Sequence, residues 1–285
     1  MAARRAATAS PAERTAVEDL ELRLLLEAVF VQTGYDFRDY AMASLKRRIQ
    51  ERIRVEQVAT ISGLQERVLH DSACMARLLL GLSVSVSSMF RDPGFYLAFR
   101  MKVVPLLRTY PFIRVWHAGC SAGEEVYSMA ILLAEERLYD RCRIYATDMN
   151  DDVLKRAADG IYPIGAMKQF TANYLEAGGS RSFSEYYTAM YDRAIIRPSL
   201  RENVVFAQHN LATDGPLNEF HVIVCRNVMI YFNRDLQARV HTLLSGSLVR
   251  LGFLGLGNKE SLRSTPHEAL YRLVDEQERL YRKMA

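Results

Sequence analysis

Cysteine is scarce in this chain, and the few present stand apart. Cys74, Cys120, Cys142 and Cys225 form no C-x-x-C pair and no metal-like grouping with histidine. No metal site and no disulfide framework are therefore expected, and reduced thiols in a cytoplasm are the simplest reading. Long apolar runs are missing as well. No stretch approaches a membrane span, and the opening M-A-A-R-R-A-A-T-A-S-P lacks the apolar core of a signal peptide, so a soluble, cytoplasmic protein without membrane insertion is expected. Neither sign of charge is in great excess: 37 Lys and Arg against 33 Asp and Glu leave a formal +4. That permits an acidic partner surface but does not demand nucleic acid. No internal repeat is visible. Apolar residues, by contrast, make up 49% of 285 residues, enough for one large domain or two modest ones.

The stretch around which the rest is arranged runs from Ile113 to Ala130, I-R-V-W-H-A-G-C-S-A-G-E-E-V-Y-S-M-A. It opens with residues of a buried strand (Ile113, Val115, Trp116), breaks into small residues, and resumes at Glu124 with the helical spacing of Val126, Met129 and Ala130. Strand, glycine-bearing turn and helix form the first unit of a nucleotide-binding α/β fold, in which Ser121 could cap the helix. A phosphate is drawn to a helix N-terminus, but Glu124 and Glu125 stand there and would repel it. Carboxylates suit a ligand that brings an ammonium group or ribose hydroxyls. This disfavours ATP or a dinucleotide and favours S-adenosylmethionine.

In chain order, residues 1–15 are small, basic and Pro-containing and read as a disordered tail; residues 16–82 read as a small helical domain. Its first apolar stripe is Leu22, Leu25, Leu26, Val29 and Phe30; a second helix carries Lys46, Arg47, Arg48, Arg52 and Arg54 around Leu45, Ile49 and Ile53; a third is expected over 61–80. The basic helix is either a solvated face or a docking surface for an acidic partner. Residues 83–94, including L-S-V-S-V-S-S-M-F-R, read as an extended linker, and residues 95–285 as the α/β domain. A second strand ends at Asp148, where doubly wound folds place an acid on ribose hydroxyls. Residues 164–200, rich in Tyr, Gly and Ser, look like an inserted subdomain. The apolar run Phe220–Cys225 reads as a strand buried on both faces, with Arg226 and Asn227 at its carboxyl edge.

Together these segments closely resemble the CheR family of S-adenosylmethionine-dependent methyltransferases, which esterify glutamate side chains on chemotaxis receptors. The likeness runs from about Leu22 to the C-terminus and rests on motifs in order: S-M-F-R-D-P (88–93), W-H-A-G-C-S-A-G-E-E-V-Y-S (116–128), Y-A-T-D (145–148), G-I-Y-P (160–163), H-N-L (209–211), C-R-N-V-M-I-Y-F (225–232) and L-G-N-K-E-S-L (256–262). It implies an all-helical domain followed by a Rossmann-like domain with a mostly parallel seven-stranded sheet, into which a small β-subdomain is inserted.

Carried over by position, the resemblance implies that Glu124 or Glu125 takes the methionine amino group and Asp148 the ribose hydroxyls. Asn210 and Leu211 would border the adenine, and Arg226 and Asn227 would line the pocket, with Ala118, Gly119 and Met149 among the cofactor-binding positions. Ser85, Ser87 and Arg91 would close over the methionine end, and Arg91 and Tyr231 would be the catalytic pair facing methyl group and substrate. The partner implied is the cytoplasmic helical region of methyl-accepting chemoreceptors, met by the basic helix; the protein itself is expected to be a monomer. Two departures stand out: Ser85 and Ser87 occupy positions where the family often has asparagine and threonine, and Met89 replaces an aromatic. A glutamate nucleophile is ionised at neutral pH and requires no general base, which fits His117, His209 and His221 as structural residues and Cys120 and Cys225 as packing residues. The competing readings are a catalytically silent cofactor-binding scaffold and a small-molecule methyltransferase.

Overall fold

The apolar stripe of Leu22, Leu25, Leu26 and Val29 is fully buried, or within 2% of it, and that burial organises the N-terminal unit. The computed structural model describes residues 11–83 and 87–285; the chain divides into two units, Met1–Ser83 and Val84–Ala285. In the first, α1 (Pro11–Thr33), α2 (Met42–Glu56), α3 (Ile61–His70) and α4 (Ser72–Leu82) pack through Leu45, Ile49, Ile53, Leu64, Val68 and Leu78. Since α1 begins at Pro11, the tail expected over 1–15 is too long; residues 1–10 lie outside the described residues. The single helix expected over 61–80 is two. Asp71 leaves helical geometry and caps α4, its Oδ1 accepting from the Ala73 N–H at 2.9 Å, as a short acidic side chain favours. Glu56 is buried and receives two hydrogen bonds from Arg77 (2.8 and 2.9 Å), with Arg52 at 3.5 Å and Arg67 at 3.7 Å. The Arg77 hydrogen bonds hold its carboxyl down at about 2.

The second unit opens with α5 (Pro93–Lys102) and α6 (Val104–Leu107), then alternates β1 (Ile113–Ala118), α7 (Glu124–Glu135), β2 (Cys142–Asp148) and α8 (Asp151–Asp159). Next come β3 (Ile161–Pro163), α9 (Met167–Glu176), β4 (Tyr187–Met190), β5 (Arg193–Ile196) and β6 (Val204–Gln208). The chain closes with β7 (Phe220–Cys225), α10 (Arg234–Ser247), β8 (Leu248–Leu256), β9 (Tyr271–Asp275) and β10 (Leu280–Lys283). Seven strands form one sheet in the order β6-β2-β1-β7-β8-β10-β9, parallel from β6 to β8 and antiparallel where β10 joins β8 and β9. This is the Rossmann-like methyltransferase fold expected from the sequence. Central strands β1 and β7 are buried on both faces except for one residue each, which accounts for their near-continuous apolar runs.

The inserted segment makes a separate antiparallel sheet, β3-β5-β4, with α9 beside it. Its first strand, β3, precedes the expected start at 164. Glu135 at the end of α7 fastens this subdomain to the main one, accepting from the hydroxyls of Tyr174 and Tyr186 and pairing with Arg100.

Candidate functional site

After β1 the chain moves outward to β2 and β6, whereas from β7 it moves the other way to β8. The sheet therefore reverses its winding between β1 and β7, and a crevice at their carboxyl ends is where open α/β sheets bind ligands. Ala118 and Gly119 end β1 there. The backbone N–H groups of Gly119 and Cys120 both donate to the Thr147 carbonyl at 2.8 Å, tying the turn to β2. Gly119 has φ +78°, and a Cβ on it would fall 2.6 Å from Val228 Cγ2, so glycine is required on both counts. Asp148 at the end of β2 accepts from the Ser121 N–H (3.0 Å) and the Asn150 N–H (3.1 Å). Burial pushes its carboxyl up, against these hydrogen bonds.

Ser121 does not cap α7, as the sequence suggested it could. The N-cap is Gly123, and the Ser121 hydroxyl oxygen is buried without a hydrogen-bond partner among the described residues. Glu124 Oε2 is orphaned in the same way; burial raises its carboxyl above the usual range, while its own backbone N–H, the Arg156 charge and the Ser87 hydroxyl act the other way. Glu125 differs completely. His117 Nδ1 lies 3.2 Å from its Oε1, and Arg226 Nη1 donates to its Oε2 at 3.0 Å. Burial alone would raise the Glu125 carboxyl, but His117 and Arg226 outweigh it and hold it below the ordinary value.

Arg226, expected to line the pocket, is turned into the protein. Its side chain is fully buried; it donates to the Arg91 carbonyl at 3.2 Å and to Asp92 Oδ2 at 2.7 Å, and lies 4.2 Å over the Phe95 ring. It thereby pins the segment that carries Arg91. Phe90 and Asp92, on either side, both have left-handed backbones, with φ of 51° and 54°, a cost of the kind that clusters at functional sites. The Phe90 N–H donates to Ser128 Oγ at 2.8 Å, and its buried ring meets Tyr96 and Tyr174 edge-on. The backbone at Arg91 is thus tied on both sides by hydrogen bonds, and the residue itself is partly exposed. Ser85 lies outside the described residues.

Beyond β7, Asn227 takes a left-handed backbone (φ 59°), and a single carboxylate organises the turn. Glu260 accepts from the backbone N–H groups of Asn227 (2.9 Å), Val228 (2.9 Å), Met229 (2.8 Å), Ile230 (3.3 Å) and Gly257 (2.6 Å). Burial nevertheless moves its carboxyl upward. Reading the sequence did not assign Glu260 a role, although it lies in the quoted L-G-N-K-E-S-L; an acid following a glycine-bearing strand end was the available signal. Tyr231, half-buried, closes the short 3-10 turn Met229–Tyr231. After β6, Asn210 Oδ1 accepts from the Ala212 N–H at 3.0 Å, presenting Asn210 and Leu211 on a tight turn, and the Met149 carbonyl accepts from Gln208 Nε2 at 3.0 Å. Ala118, Gly119, Glu124, Asp148, Met149, Asn210, Leu211 and Asn227 thus all sit at or just past the carboxyl ends of β1, β2, β6 and β7.

Two of the strand histidines make contacts within the fold: His209 Nε2 is 2.9 Å from the Gly215 carbonyl, and His221 Nδ1 accepts from the Arg114 N–H at 3.0 Å. The Cys120 and Cys225 thiols are buried, and burial raises both well above the ordinary value, the opposite of the setting that activates a thiol. The basic residues of α2 do not form one free face. Lys46 pairs with Asp19, Arg48 donates to the Leu82 carbonyl (2.6 Å) and Ser44 Oγ (3.0 Å), and Arg52 pairs with Glu56. Arg47 and Arg54 are exposed, Arg54 beside Glu51.

Comparison with known proteins agrees with this architecture. Residues 85–277 match the SAM-binding domain of CheR methyltransferase, and residues 20–83 its all-alpha domain. A Pseudomonas putida protein called methyltransferase Cher3 is 52% identical over 265 residues, covering 93% of this chain and 97% of its own. Chemotaxis protein methyltransferases of Listeria monocytogenes (31% identity, 80% of this chain, 85% of theirs) and Escherichia coli (28%, 87% and 87%) are similar along most of their length. With its helical domain, reversed sheet and motif-bearing strand ends, the chain belongs to the CheR methyltransferase family.

Proposed function

We propose that this protein transfers the methyl group of S-adenosylmethionine to glutamate side chains of methyl-accepting chemoreceptors, giving glutamate methyl esters and S-adenosylhomocysteine. Family membership supplies SAM-dependent methylation in chemotaxis; the residues give the finer reading its support. The observation that carries the cofactor part of this reading is a pair of buried oxygens, Glu124 Oε2 and Ser121 Oγ, without a hydrogen-bond partner among the described residues, at the winding reversal of the sheet. A buried polar atom without a partner costs about 1–3 kcal/mol, a cost that a ligand with donor groups relieves.

The cofactor fits this donor set. Glu124 would take the ammonium group; Glu125 is already committed to His117 and Arg226. Asp148, its carboxylate oriented by two backbone N–H groups, would hold the ribose hydroxyls. Asn210, Leu211 and Met149 would border the base, Gly119 and Asn227 the middle of the ligand, and Ser85, Ser87 and Arg91 the methionine end. Arg226 acts at one remove, by fixing the Arg91 backbone.

When bound, the cofactor supplies an electrophilic methyl on a sulfonium. Because the acceptor carboxylate is already ionised at neutral pH, no residue of this chain would have to take a proton. The protein's work is then alignment and exclusion of water. Arg91 orients the carboxylate and Tyr231 adds a guiding hydrogen bond; a tighter grip would stabilise the ground state as much as the transition state. Arg47 and Arg54, on the exposed side of α2, are the cations that would meet an acidic receptor helix.

The test is transfer of an isotopically labelled methyl group to a receptor cytoplasmic fragment. Label released by mild alkali and mapped to glutamate supports the proposal. Absence of transfer by folded, cofactor-binding protein would favour a silent scaffold, and alkali-stable label would mean a different acceptor.

A further inference from the structure

Helix α1 is apolar on two opposite faces. One is the buried stripe Leu22, Leu25, Leu26 and Val29; the other consists of Val17 (54% exposed), Leu20 (57%), Leu24 (50%) and Val31 (76%), with Ala28 partly exposed between them. A helix apolar all round is ordinarily buried all round, and large apolar side chains aligned along one exposed face mark an interaction site more often than scattered ones do.

The pattern also says which partner fits. Counted from Leu24, the outer residues stand at −7 (Val17), −4 (Leu20), +4 (Ala28) and +7 (Val31). The spacing of the stripe is the same in both directions, with Leu20 matched by the smaller Ala28. A two-fold symmetric contact requires a patch that is complementary to itself, and an antiparallel copy of α1 with its axis at Leu24 meets that condition: Val17 faces Val31, Leu20 faces Ala28, and Leu24 faces its own counterpart. The flanking charges agree. Arg23 lies at −1 and Glu27 at +3 on the same side of the stripe, so the two-fold brings Arg23 of one copy within about one helical half-turn of Glu27 of the other. Glu27 is half-exposed and pairs with Arg38 across the surface, and Arg38 also holds Asp36, so Glu27 can be shared without stripping Arg38 of its partner.

We infer that two copies of this chain associate through the outer face of α1, replacing the monomer expected from sequence. A contact of one helix per subunit is small, and dissociation on the order of 10–100 µM is expected. The cofactor crevice is far along the chain from this helix, and nothing in the proposed transfer depends on the pairing.

Sedimentation velocity of the full-length protein between about 5 and 300 µM tests this. The expected result is a concentration-dependent dimer that Leu24→Glu abolishes with unchanged helical circular dichroism and unchanged melting. Arg23→Glu should weaken the dimer, and the double swap Arg23→Glu/Glu27→Arg should restore it, which a merely misfolded variant would not do. Monomer throughout the range overturns the inference; if a chain lacking residues 1–10 then dimerises, that segment is the occupant of the stripe. A dimer indifferent to Leu24→Glu also overturns it, by placing the contact elsewhere.

Discussion

Glu124 and Glu125 are neighbours on one helix, and their surroundings drive them to opposite uses. Glu125 is held from two sides, by the His117 ring and the Arg226 guanidinium, and belongs to the framework; Glu124 keeps a buried oxygen without a partner among the described residues. Because burial raises the Glu124 carboxyl, it protonates at a higher pH than an ordinary glutamate. A carboxylate is needed to hold an ammonium group, so affinity for S-adenosylhomocysteine should fall as the pH is lowered, beginning above the range an ordinary glutamate would set. In Glu124→Gln that part of the pH dependence should be lost, leaving only what the buried Asp148 carboxyl contributes, which calorimetry across pH can read. Arg91 makes a different prediction. Arg91→Ala should lower methyl transfer by about 10²-fold or more while moving cofactor affinity far less, because positioning of the acceptor is lost; equal loss of both would assign Arg91 to cofactor binding alone. The acids could be seen in the sequence as a pair, but not told apart, since the partner that distinguishes them, Arg226, comes from a strand end 101 residues away.

At the scale of elements, the site is a set of turns fixed by buried carboxylates. Glu260 gathers five backbone N–H groups around Asn227, so Glu260→Ala should cost roughly 4 kcal/mol or more and be seen as a large drop in melting temperature, together with weakened cofactor binding. In the N-terminal unit, Glu56 plays the corresponding part for three arginines. Its carboxyl lies below its unfolded value, so its contribution is full above about 4.5 and is lost as the pH falls toward about 2. Acid unfolding of this unit should therefore steepen across that window, and Glu56→Gln should flatten the dependence. The strands and the order of elements were legible because apolar periodicity and glycine turns are local signals. The break at Asp71 was not, because a polar residue on an otherwise continuous helical pattern announces a cap only when the backbone is seen to leave the helix. Nor was the commitment of Lys46, Arg48 and Arg52 to partners within the unit: spacing shows which charges share a helix, not which of them the tertiary structure has already paired.

For the molecule as a whole, a helical unit and a SAM-binding unit share one chain, and the proposed division of labour is acceptor recognition in the first and cofactor binding in the second. Arg47→Glu with Arg54→Glu should then reduce receptor methylation by about tenfold while leaving affinity for S-adenosylhomocysteine and the melting temperature unchanged, the loss growing smaller at high salt. Family and fold were readable from motifs spread along nearly the whole sequence, whereas the second apolar face of α1 acquired meaning only once the first was seen to be buried. The most direct test of the central claim, that the crevice between β1 and β7 holds the cofactor through Glu124, is a calorimetric titration with S-adenosylhomocysteine of the wild type, Glu124→Gln and Glu125→Gln, with melting followed in parallel. Glu124→Gln should weaken binding about tenfold or more with melting unchanged or raised, and Glu125→Gln should lower stability by about 3 kcal/mol. Full-strength binding by Glu124→Gln would contradict the account.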